Sequence, residues 1–106
     1  MIVAFQTEEL RRICEDENVA EKKLGWPVAS VLRERLADLR AVTSIDVLPV
    51  GRPSKTGAVG ERLVFPLGST HTMTWTANHL DPPKVDDGFV DWSRTSRIQL
   101  LAIERL

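Results

Sequence analysis

Only one cysteine and no tyrosine occur among the 106 residues, and each scarcity closes off a class of answers. A lone thiol, Cys14, forms no disulfide within the chain, so nothing calls for an oxidising compartment. It falls in Leu10-x-x-Ile13-Cys14, a helical apolar stripe, and is read as a core thiol. No run approaches the roughly 18 apolar residues that cross a bilayer. Met1–Phe5 is apolar but short, with no basic region ahead of it, so no membrane association is expected and the cytoplasm is the expected location. A net charge of −1 and a pI near 6.1 argue against a general nucleic-acid binder.

What remains is enough apolar residue to bury a core, 42% of the chain, at a length typical of one domain spanning residues 1–106. Charge is unevenly spread. Residues 1–21 carry Arg11 and Arg12 against Glu8, Glu9, Glu15, Asp16, Glu17 and Glu21, for a net −4. Residues 22–62 carry eight cations against Glu34, Asp38, Asp46 and Glu61, for a net +4. That positive middle is either a local phosphate-facing patch or an ordinary solvated surface.

Met1–Phe5 is β-branched and aromatic and predicts a strand. Thr7 before Glu8 and Glu9 predicts a helix start, with the helix running from about Glu8 to Glu15 and an extension to Lys23 left open. Gly25-Trp26-Pro27 punctuates the chain. Ala29, Leu32, Leu36 and Leu39 then recur at helical spacing and predict an amphipathic helix from about Pro27 to Arg40. Thr43–Val50 reads as irregular or a single turn, and Gly51–Gly57 as a loop. Glu61–Leu67 alternates, Gly68-Ser69 reads as a hairpin connection, and Thr70–Thr76 as its second strand. Leu80–Gly88, with Pro82-Pro83, reads as a loop, and Arg97–Ile103 as a buried central strand. The predicted order is β-α-α-β-β-β, an α+β fold with two N-terminal helices on a small, mainly antiparallel sheet.

Three stretches carry a family resemblance. Leu10–Glu17, Ala20–Gly25 and Leu32–Arg40 look like the N-terminal half of HigB-like killer proteins, a branch of the RelE/ParE toxin superfamily. Asp87-Gly88-Phe89-Val90-Asp91-Trp92-Ser93, followed by Ile98–Glu104, looks like that family's C-terminal pattern. The resemblance implies the toxin of a bacterial type II toxin–antitoxin system, cutting mRNA on the ribosome and neutralised by a helix-turn-helix antitoxin. The alternative is a non-enzymatic member, either a gyrase-binding toxin or an inactive binding module. The chain departs from the family in two places. His71 stands near the position of the family's arginine, and the family's terminal histidine is absent.

RNA cleavage of this kind needs proton-transfer groups at the 2′-OH and the leaving oxygen, and cations on the phosphate. An endoribonuclease built from this chain would be metal-independent and free of cofactors, since two histidines with no cysteine or carboxylate at ligand spacing make no zinc site. His71 and Arg62 are the candidate catalytic pair, with Arg52, Lys55, Arg33 and Arg35 as candidate RNA contacts. A hairpin centred between Gly68 and Ser69 would pair residue 62 near 75 and residue 66 near 71. That leaves Arg62 and His71 about four residues apart along the ladder, roughly 13 Å. Trp26, Lys22 and Lys23 are the candidate partner-binding residues. Salt-laced helix faces, and a pairing of Arg62 with Glu61, stand as the plain alternatives. His79 is read as a solvated turn residue.

Overall fold

The computed structural model describes residues 1–48 and 52–106. Pro49 and Val50, in the expected irregular stretch, and Gly51, in the expected loop, lie outside the described residues. Among the described residues the fold is α+β, with three α-helices and a five-stranded mixed sheet.

The first strand, β1 (Ile2–Phe5), ends where Thr7 starts α1 (Glu8–Glu15). The Thr7 hydroxyl accepts from the Leu10 amide at 3.1 Å, and Glu8 and Glu9 lie at the positive end of the helix. No continuous helix reaches Lys23, because Asp16 adopts an extended conformation and caps a new one. Its carboxylate accepts from the amides of Asn18 and Val19, which opens α2 (Glu17–Leu24). Gly25, at φ 83°, then makes the break that a residue with a Cβ rarely adopts, and α3 (Trp26–Ala41) follows. The chain's amino group donates to the carbonyls of Leu39, Arg40 and Val42, so β1 is tied to the negative end of α3.

A short edge strand, β2 (Ser54–Thr56), forms inside the stretch expected to be loop. It pairs antiparallel with β3 (Arg62–Leu67), which pairs with β4 (His71–Ala77). The last strand, β5 (Arg97–Arg105), runs two residues beyond the expected Ile103 and sits between β4 and β1, parallel to β1. The sheet order is β1-β5-β4-β3-β2.

Register decides the faces. Leu63 pairs with Trp75, and Trp75 with Leu100; Phe65 pairs with Met73, and Met73 with Ile103. These residues face the helices, where Leu32, Leu36 and Leu39 are buried with them. The other face shows Arg62, Val64 and Pro66 beside Thr76, Thr74 and Thr72. Trp92 closes one end of the core, its indole donating to the Gly60 carbonyl at 2.7 Å. The indole N–H of Trp75 is buried with no partner among the described residues.

No helix among the described residues is long and apolar enough to cross a membrane.

Candidate functional site

The β3–β4 connection has three residues, Gly68-Ser69-Thr70, with Gly68 at φ 68°. Arg62 therefore pairs with Thr76 and Leu67 with His71, one residue away from the expected register. Arg62 and Leu67 are five positions apart along β3, an odd number, so their side chains leave opposite faces of the sheet. Arg62 is exposed on the open face, while His71 faces the helices and is 8% exposed. The expected alignment of these two along one ladder face does not form.

His71 instead stands opposite Arg105 on β5, on the same face. The Thr70 hydroxyl lies 2.8 Å from its Nδ1. Together with Ser69 and Thr70, these two residues line a cleft of about 340 Å³ between the hairpin turn, the end of β5 and the start of α3. The expected strand ends at Ile103, which leaves Arg105 outside it. Alternation carried on from Leu100 would place Arg105 on the opposite face; the register shift opposite Thr74 and Trp75 returns it to the side of His71, and nothing in the sequence marks that shift.

The other candidate cations are dispersed. Arg33 pairs with Glu17, and Arg35 donates to Asp38 at 3.3 Å, so both helix arginines are engaged within the chain. Arg52 and Lys55 are exposed, and Lys55 lies opposite Leu63 on edge strand β2, on the face that Arg62 does not share. Lys22 is exposed at the end of α2, and Lys23 lies 3.6 Å from Glu9. Trp26 is 68% exposed, against a second hollow of about 140 Å³ between α1, α2 and α3 whose rim carries Glu15, Glu17 and Glu21.

His79 is more than a solvated turn residue. Its Nε2 accepts from the amides of Ser96 and Arg97 at 3.1 and 3.3 Å, which fixes the entry of β5. That nitrogen's lone pair is therefore committed to the backbone. Cys14 is partly buried in the helix layer, and burial pushes its thiol up to about 12 despite the opposing field of Arg40. A thiol held neutral in this way is a packing group and a poor nucleophile.

No family model, curated protein or solved structure matches this chain.

Proposed function

We propose that this chain is a toxin-type domain of the RelE/ParE kind, one half of a bacterial toxin–antitoxin pair, that acts by binding its target and not by cutting RNA. The family half of the proposal rests on the order of sequence words from Leu10 to Glu104. The choice of binding over cleavage rests on one observation, the placement of Arg62 and His71 on opposite faces of the sheet. A phosphodiester held at Arg62 cannot meet a proton acceptor at His71. Of the two histidines, His79 is occupied by backbone amides, and His71 has no second histidine or carboxylate side chain beside it in its cleft among the described residues. Cleavage by general acid–base catalysis needs two such groups, or one that serves in both steps.

The endonuclease reading keeps one supporting observation. His71 and Arg105 share a face and a cleft, so an imidazole and a guanidinium are side by side there. Induction in cells separates the two readings. The binding reading expects growth arrest with transcripts intact, relieved by co-expression of the helix-turn-helix protein encoded alongside. Transcript cleavage that disappears with His71→Ala overturns it in favour of the endonuclease.

A further inference from the structure

The hollows of the surface differ in charge. The groove among the three helices is rimmed by glutamates, and the hollow beside Arg12 and Lys23 also holds Glu8 and Glu9. The cleft at the β3–β4 turn is lined by His71, Arg105, Ser69 and Thr70, and by no carboxylate side chain among the described residues. We propose that this cleft is a binding site for a phosphoryl group, taken as free phosphate or as the phosphate of a nucleotide. The proposal goes beyond the toxin-type reading and does not depend on it.

Three independent features converge on an anion. His71 is buried to all but 8%, and only its Nδ1 is engaged, by the Thr70 hydroxyl. When that hydroxyl donates, the ring proton sits on Nε2, which has no partner among the described residues. That nitrogen is not sealed from solvent, since the Trp75 indole is the buried side-chain polar atom left without a partner among the described residues, so it is free to donate to an anion in the cleft. Arg105, directly across the ladder, has no carboxylate within 4 Å among the described residues. A guanidinium offers the fork of donors that phosphate oxygens accept.

The third feature is α3, whose first turn lines the cleft through Pro27 and Val28. Its cap is Gly25, which makes no side-chain hydrogen bond, and no acidic residue occupies its first turn. The positive end of a 16-residue helix is thus left without a counter-charge from its own segment. In α1 and α2 the corresponding positions hold Thr7 with Glu8 and Glu9, and Asp16 with Glu17. Leu24 and Val31 make the far wall apolar, which suits a sugar or base attached to the phosphate. The volume of about 340 Å³ lies at the small end of the usual range for ligand sites.

The test is calorimetry of the full chain with inorganic phosphate and, separately, adenosine 3′-monophosphate, at constant ionic strength set with chloride. Amide and imidazole NMR shifts are followed in parallel. The expected result is saturable binding, with shifts centred on Ser69, Thr70, His71 and Arg105. Arg105→Gln, an exposed change, should weaken it about tenfold or more, and His71→Gln should weaken it as well, while Arg12→Gln leaves it unchanged. Equal affinities for the two probes support a free-phosphate site, and tighter nucleotide binding supports one that also uses the apolar wall. No saturation with either probe up to about 50 mM overturns the proposal. So does Arg105→Gln binding as wild type, or shifts spread equally over Arg12, Lys55 and Arg62.

Discussion

His71 lies directly opposite Leu67 across the β3–β4 hairpin, and that single pairing turns its ring toward the helices. Arg62, on the same hairpin, is turned to solvent. Their substitutions should therefore behave differently in folding. His71→Ala removes a buried ring and the Thr70 contact, and should cost about 1–3 kcal/mol in urea unfolding. Arg62→Ala should fall within about 0.5 kcal/mol of wild type. Equal, negligible costs for both would mean that the imidazole is not in the core.

Leu36 is 3% exposed on α3, packed in the cluster that contains Phe65, Trp75 and Leu100. Leu36→Ala should cost about 2–5 kcal/mol by the same measurement, the range for emptying a buried leucine site. Ala37, one step round the helix, is exposed, and Ala37→Ser should cost about 0.5 kcal/mol or less. A Leu36→Ala loss under about 0.5 kcal/mol would place the wrong face of α3 against the sheet.

The elements most legible in the sequence were those in which period and burial agree. The leucines of α3 and the alternation Leu63, Phe65, Leu67 needed only the 3.6- and 2-residue rules, and β5 revealed its central place by its run of apolar residues. Two boundaries were hidden for local reasons. Asp16 breaks α1 from α2 by bonding the amides ahead of it, and an aspartate among glutamates in a helical run gives little warning of that. β2 is three exposed residues held by pairing with β3, a tertiary effect with no pattern of its own. The candidate site was the least legible, because one extra turn residue reverses every side chain beyond it. Gly68-Ser69 reads as a two-residue turn, and nothing in Thr70 marks it as the third.

Asp91 gives a pH-dependent test. Its carboxylate accepts from the Ser93 hydroxyl and from Arg94, and these bonds hold its pKa below the ordinary aspartate value of 3.8. A depressed pKa means that the folded state binds its proton less readily than the unfolded chain does. The stabilisation is therefore complete well above pH 3.8 and is lost as the pH falls through the lower folded value. Carboxyl-detected NMR titration should find the Asp91 midpoint below 3.8. Asp91→Asn should shrink the acid-limb slope of stability, and an Asp91 midpoint at or above 3.8 would remove the cap from the account.

Cys14 predicts the opposite, alkaline limb. Burial raises its thiol from 9.0 to about 12, with Arg40 opposing and Glu15 adding. The folded state thus keeps a proton that the unfolded chain releases. Its contribution is fully present below about pH 9 and is lost as the pH rises toward 12. Thiol-specific reagents at pH 8 should modify the native protein slowly and the urea-unfolded protein quickly. Cys14→Ala should flatten the fall in stability above pH 9. Fast native labelling would show the thiol to be open to solvent.

Trp26 carries the last prediction, about partnership. An indole 68% exposed at the start of α3, beside a hollow floored by Ile13, Ala20 and Leu32, adds little to the core. Trp26→Ala should leave urea stability within about 0.5 kcal/mol of wild type. Tryptophan is among the residue types enriched at interface hot spots, whose truncation costs about 2 kcal/mol or more each. On the proposed toxin-type reading, affinity for the antitoxin should therefore fall about 30-fold or more, chiefly through faster dissociation. Lys22→Ala and Lys23→Ala, near the end of α2, should act more on the association rate and its salt dependence, because exposed rim charges steer encounter more than they hold a complex. Surface plasmon resonance on the three variants separates these effects. Wild-type dissociation of Trp26→Ala would move the partner surface away from the helices and onto the open face of the sheet.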